Sequence, residues 1–195
     1  MRTLVRRACA DLGAVVLSAS ALAAQGGMSP GVERQWSFGI TGGATFPSGD
    51  FGERAGTGYN VGALIEYKPA PGPLSIRIEG DYQAFGESDD LSAAGTSADF
   101  SIIRGTGAFV WRFPMEATTV RPYLTGGAGV YWLDAESEGP ILEVSGSETK
   151  FGLNGGFGIE LPLTGLTTFI EGSFHTVFTD GDNTYFWPVR VGIRF

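Results

Sequence analysis

Apolar and polar residues alternate with a period of two through eight separate stretches of this 195-residue chain. Such a period places one set of side chains on each face of a strand, so each stretch reads as an amphipathic β-strand. The apolar faces are Trp36, Phe38, Ile40, Gly42, Ala44 and Phe46 in segment one (Gln35 to Phe46), and Tyr59, Val61, Ala63, Ile65 and Tyr67 in segment two. Segment three gives Leu74, Ile76, Ile78, Gly80, Tyr82 and Ala84, and segment four Ile103, Gly105, Gly107, Phe109, Trp111 and Phe113. Segments five and six give Leu124 to Trp132 and Phe151 to Leu161 at every second residue; segment seven gives Thr168 to Phe178, the least regular. Segment eight runs Tyr185, Trp187, Val189, Val191, Ile193 and Phe195, and the sequence stops on that aromatic.

Charge tests the pattern. Glu66, Lys68, Arg77, Glu79, Asp81, Arg104, Arg112, Arg121, Lys150, Glu160, Glu171, Arg190 and Arg194 all fall on the other parity of their own segment. A soluble barrel with a greasy interior also alternates. Three features favour the inverted arrangement, with lipid outside and charge within. Aromatics gather at the ends of the apolar faces (Trp36, Tyr59, Tyr67, Trp111, Phe113, Trp132, Tyr185, Phe195), as interfacial girdles require. Connections alternate long and short. An interior holding both charge signs can satisfy itself, whereas an Arg or Lys facing lipid at midplane costs ~2–4 kcal/mol. The expectation is an all-β, eight-stranded, antiparallel up-and-down transmembrane β-barrel over residues 35–195, each strand about the 9–11 residues a tilted crossing needs, with no helix.

The amino terminus reads as an export signal. Arg2, Arg6 and Arg7 precede the apolar run Leu12 to Leu22, and Ala21-Leu22-Ala23 is a small-x-small cleavage site, with the cut after Ala23 or Ala24. Residues 25–34 then form a short periplasmic segment. Cys9, the one cysteine, lies before the apolar run, so the exported chain has no disulfide, thiolate metal site or cysteine nucleophile. Removing the signal leaves 10 basic and 20 acidic residues, a net charge of −10. Such a chain repels nucleic acid. With an amino terminus in the periplasm, the loops near 47–57, 85–98, 134–148 and 179–184 face outward. The turns near Pro71, Pro114 to Thr119 and Pro162 to Gly165 face the periplasm, and proline suits them because it has no amide to lose from a ladder.

The stretches Arg121-Pro122-Tyr123-Leu124-Thr125-Gly126-Gly127-Ala128-Gly129 and Pro188 to Phe195, with Pro47-Ser48-Gly49-Asp50-Phe51, carry a resemblance. The chain resembles the small outer-membrane β-barrel proteins of the OmpA/OmpX type, across essentially the whole exported part. The resemblance implies a bacterial outer-membrane address and a terminal Phe195 that serves as the signal for the barrel-assembly machinery. It implies no single activity. Unlike full-length OmpA, the sequence ends with the barrel, so tethering through a carboxy-terminal peptidoglycan-binding domain is not expected.

Four groups of residues are candidates for function. The first is a lumen charge network of Glu66, Arg77, Glu79, Asp81, Arg104, Glu160, Glu171, His175, Arg190 and Arg194, structural or gating. A register set by the proline turn puts Glu66 opposite Arg77. A last hairpin centred near Asp180 to Asp182 puts Glu171 opposite Gly192, with Arg190 and Arg194 diagonal. The second is the glycine set Gly126, Gly127, Gly129, Gly152, Gly155, Gly156 and Gly158, read as room for Tyr123, Tyr131 and long lumen side chains. The third is Glu171, Ser173 and His175 on one strand face. It resembles the Ser, His and Glu of lipid A-deacylating barrels, but reads Ser-Phe-His-Thr where those enzymes resemble His-x-Ser-Asn. A same-face spacing of ~7 Å also argues against a direct Ser–His hydrogen bond. The fourth is acidic loops, densest at Asp180-Gly181-Asp182-Asn183, able to meet divalent cations or surface ligands. No cofactor is expected. The reading is a monomeric, non-enzymatic barrel acting structurally or through surface contacts, with a narrow porin-like channel and a lipid A hydrolase as alternatives.

Overall fold

All eight alternating segments become strands of one closed sheet. The computed structural model describes residues 35–69, 71–87, 97–115, 119–138 and 143–195. The strands are β1 (Trp36–Ser48), β2 (Ala55–Tyr67), β3 (Leu74–Glu87), β4 (Ser97–Arg112), β5 (Arg121–Glu138), β6 (Glu143–Leu163), β7 (Leu166–Val177) and β8 (Thr184–Arg194). Each pairs antiparallel with the next, and β1 closes on β8. The closing seam uses the terminal residue: the Phe38 and Phe195 amides each donate to the other's carbonyl at 2.9 Å. The export signal, the segment before residue 35, and the loop stretches at 88–96 and 139–142 lie outside the described residues.

The parity reading holds strand by strand. On β3, Ile78 is 62% exposed while its neighbours Arg77 and Glu79 are 0% and 6% exposed. On β8, Val191 and Trp187 stand outside and Arg190 and Phe186 inside. Exposed apolar residues around a belt and buried charges within is the inverse of a water-soluble barrel. Short turns link the strands at one rim. Between Leu163 and Leu166 the connection is two residues long, and Gly165 supplies the left-handed backbone (φ 85°) such a hairpin needs.

Two expectations are corrected. Only β8, at 11 residues, keeps to the expected length; the other strands run from 12 to 21 residues, longer than a crossing requires. At the long-loop rim, β4, β5 and β6 continue as a paired ribbon out to Ser97↔Glu138 and Glu138↔Glu143. A ladder has no reason to stop at the membrane surface when its outward residues turn polar, as Asp134, Ser147 and Thr149 do here. The first long loop also contains a helix, α1 (Asp50–Arg54), entered through Gly49 at φ 63°.

The glycine expectation holds in part. A methyl group on Gly158 would overlap the Tyr123 ring, one on Gly152 would come within 2.7 Å of the Tyr131 ring, and one on Gly192 would overlap Phe169. Gly127, Gly129 and Gly156 instead face neighbouring backbone or short side chains, and the outward Gly126 and Gly155 meet nothing closer than 3.8 Å. Gly192→Ala should therefore cost about 1–3 kcal/mol by overpacking. Urea unfolding of the refolded chain in micelles checks this, and Phe169→Leu in the same background should restore most of the loss.

Candidate functional site

The lumen is filled in layers, each built from inward positions at one level of the barrel. Nearest the short-turn rim, Glu66 on β2 accepts from Arg194 Nη1 at 2.7 Å, Arg77 Nε at 3.1 Å and Ser75 Oγ at 2.9 Å. Arg112 also binds Glu66, and donates through Nε to Glu160 at 2.9 Å; Arg194 Nη2 closes the ring on Glu160 at 2.8 Å. Above lies an apolar layer of Leu64, Val110, Tyr123 and Phe169. Arg77 passes through it, its guanidinium 5.4 Å from the Tyr123 ring centre and 5.6 Å from that of Phe169, both cation–π distances.

The central layer is a second ring. Arg77 Nη1 donates to Glu171 at 2.8 Å and Glu79 at 3.2 Å. Arg190 joins the same two carboxylates, at 2.7 and 2.8 Å for Glu79. Tyr123 donates its hydroxyl to Glu171 at 2.8 Å, and Arg104 pairs with Asp81. Five acids (Glu66, Glu79, Asp81, Glu160, Glu171) thus face five arginines (Arg77, Arg104, Arg112, Arg190, Arg194), and the interior is neutral by pairing. Arg77 and Glu171 are 0% and 1% exposed. Buried charges survive only when paired and hydrogen-bonded in this way.

Over this ring sits His175. Its Nδ1 lies 2.9 Å from the Tyr131 hydroxyl, its Nε2 lies 3.0 Å from Ser173 Oγ, and Arg104 Nη1 is 3.1 and 3.0 Å from the two nitrogens. The ring stacks on Phe186 at 4.9 Å. The Ser173–His175 contact corrects the spacing argument: backbone positions are far apart, but both side chains lean along the strand and span the gap. An aromatic cap closes the long-loop end. Ala55, Phe85, Ile102, Tyr131, Val177 and Phe186 are buried together, and Phe51 on α1 packs edge-on against Phe85 (5.0 Å) and Phe100 (5.9 Å).

All ten lumen residues expected from parity are therefore brought into one connected network. The pairing of Glu66 with Arg77 is as expected. The last hairpin is not: Glu171 stands opposite Arg190, and Gly192 opposite Phe169. The hairpin is centred one residue earlier than assumed, which slides the strands by two residues and turns a diagonal ion pair into a direct one. Sequence reading overlooked Phe51, quoted within a motif but given no role, because nothing local says that a loop phenylalanine will fold over a pore mouth. Lys150, placed in the lumen by parity, reaches the rim and donates to Asp180 at 2.6 Å, with Glu148 at 3.3 Å. That hydrogen bond and charge hold the Asp180 carboxyl below the usual carboxylate range. In the Asp180 to Asn183 turn, Thr179 Oγ1 donates to the Asp182 carbonyl and Asn183 Nδ2 donates to the Tyr185 hydroxyl at 3.4 Å. Among the described residues no His/Cys/Asp/Glu cluster has metal-binding geometry.

A lipid-facing wall, a charged interior and a seam closed by the terminal aromatic now stand together, and the model of the outer membrane protein beta-barrel domain family matches residues 12–195. The chain belongs to that family. Its place is the bacterial outer membrane. Neisserial surface protein A shares the fold with a TM-score of 0.60 and 16% identity, over 83% of this chain and 96% of that one. A major outer membrane protein from Thermus thermophilus matches with a TM-score of 0.58 and 14% identity, over 83% and 99%. At these identities the likeness concerns the fold alone. No curated protein sequence matches.

Proposed function

We propose that this outer-membrane barrel is a plugged, non-enzymatic platform that acts structurally and through the surface it raises at the long-loop rim. The observation that carries this is Arg77, fully buried and bound to carboxylates of β2, β3 and β7 across the lumen. An ion crossing the barrel has to break that ring, the ring at the short-turn rim and the aromatic cap in turn. Breaking one buried pair costs about 3–5 kcal/mol. The long-loop rim faces outward in this reading, its acids meeting cations or basic surfaces. Lipid surrounds the belt, and the β8 end is what the assembly machinery receives.

Two observations weigh against a hydrolase. Ser173 and His175 lie inside the barrel, 4% and 1% exposed, beneath Phe186, whereas the acyl chains of membrane lipids lie against the outer wall. The charged group on the imidazole is the Arg104 guanidinium, where a Ser–His hydrolase needs a carboxylate to stabilise the imidazolium. The test is single-channel recording of the refolded chain in a planar bilayer, with folding checked in parallel. Silence is expected. Reproducible current steps that change with Arg190→Met would replace this reading with the porin-like one.

A further inference from the structure

His175 is the single histidine of the chain, and it stands where the charge network ends and the aromatic cap begins. Its two hydroxyl partners are indifferent to its charge. Tyr131 and Ser173 can each donate to a bare ring nitrogen or accept from a protonated one. Arg104 is not indifferent. A guanidinium only donates, and its Nη1 lies 3.1 and 3.0 Å from the two ring nitrogens. A neutral imidazole offers it a lone pair. An imidazolium offers none, and sets two positive charges side by side.

The groups around the ring do not offset that charge. On β3, Asp81 and Glu79 face Arg104 and are shared with Arg190 of β8. On β7 itself, Glu171 is taken by Arg77, Arg190 and Tyr123. On β6, Asn154 stands opposite His175 and is uncharged, while Lys150, beside Tyr131 in the ladder, is held by Asp180 and Glu148. Among the described residues no carboxylate bonds to the ring; its polar partners are Arg104, Tyr131 and Ser173.

The same ring carries the cap. It lies flat on Phe186, with 4.9 Å between centres and 7° between planes, and Phe186 meets Phe85 and Tyr131 at 6.2 and 6.3 Å. Phe85 in turn receives Phe51 of α1. That helix has five residues, too few to hold itself in water, so the seating of Phe51 in the cap is what keeps it down. Phe186, Phe85 and Phe51 thus link the buried imidazole to a lid over the barrel mouth.

We propose that His175 is an acid-sensitive latch: when it takes a proton from outside the cell, the imidazolium is driven off Arg104, Phe186 follows, and α1 lifts from the barrel mouth, changing the surface that the first long loop presents. The latch lies above the charge rings, so the plug stays shut and only the rim is regulated. A hydrated imidazole takes its proton below about pH 6.5. A ring charged when the cap is open and neutral when it is shut binds one more proton in the open state. The ratio of open to shut therefore rises about tenfold for each pH unit below that point. This regulation rests on the surface-interaction reading above.

The test is methyl and imidazole NMR on the refolded full chain in lipid nanodiscs. The one histidine gives one imidazole signal. The methyls of Ala55, Ile102 and Val177 report the cap through the ring currents around them, and those of Leu64 and Val110 report the separate layer below. From about pH 7.5 to about pH 4.5 the open population, read by saturation transfer on the cap methyls, should rise roughly a hundredfold, in step with the charged imidazole signal. Leu64 and Val110 should not change. His175→Gln, neutral throughout, should hold the cap population flat; if that variant does not fold, the wild-type titration still decides. A cap that ignores pH, a charged imidazole beneath a shut cap, or an acid response kept in His175→Gln overturns the latch. So does a cap that loosens only together with the layer below. The conductance measurement decides the plugged reading independently.

Discussion

Arg77→Met should destabilise the folded barrel by about 3–5 kcal/mol, the cost of leaving buried charge without its partner. Arg77 lies against Glu66, Glu79 and Glu171, all of them buried, and its removal turns a balance of five acids and five arginines into five and four. The remaining arginines already serve these carboxylates: Arg190 binds Glu79 and Glu171, and Arg112 and Arg194 bind Glu66. They have no further charge to offer. Urea unfolding from lipid vesicles measures the loss. Adding Glu171→Gln to Arg77→Met should recover part of it, since the excess negative charge goes with the carboxylate, and the pair should be strongly non-additive. A cost below about 1 kcal/mol would place Arg77 in the range of solvent-screened pairs. The lumen would then be wet, and the plugged-barrel reading would fall with it.

The second large effect belongs to the outer wall. Ile78→Arg puts a guanidinium on the lipid face midway along β3, where the native side chain is 62% exposed. In water, a substitution at so exposed a site changes stability by about 0.5 kcal/mol or less. In a bilayer, an arginine near midplane costs about 2–4 kcal/mol. Unfolding from vesicles therefore separates the two environments by several-fold. Repeating the measurement with Asp134→Arg, an outward position above the belt on β5, should give a near-neutral result. Equal effects at both sites would mean that the apolar belt does not mark the membrane.

Much of this was legible in the residues because a strand's faces are a local property. Parity assigned Ile78 to lipid and Arg77 to the lumen, and the same rule placed His175 and Ser173 inside on β7, the least regular segment. Tyr123 and Gly158 were read together as bulk and space, and they meet directly across β5 and β6. The failures were of reach and of register. The assumed β7–β8 register missed by two residues, because turn residues such as Asp180-Gly181-Asp182 permit more than one hairpin centre and only the interlocking of Phe169 over Gly192 and Glu171 against Arg190 selects among them. The Ser173–His175 contact was missed because backbone spacing ignores how far two side chains lean.

What the sequence by itself determined is the two-faced wall: eight strands, charge inside, apolar residues outside, since alternation needs only neighbours along the chain. What only the tertiary structure decided is which inward residues meet. Arg77 reaches Glu171 across 94 positions, and Arg190 reaches Glu79 across 111. Those meetings follow from barrel closure and stagger, which set the height of each strand against the one facing it across the lumen. The same holds for Phe51 over the mouth, since a cap exists only relative to what the rest of the fold leaves uncovered.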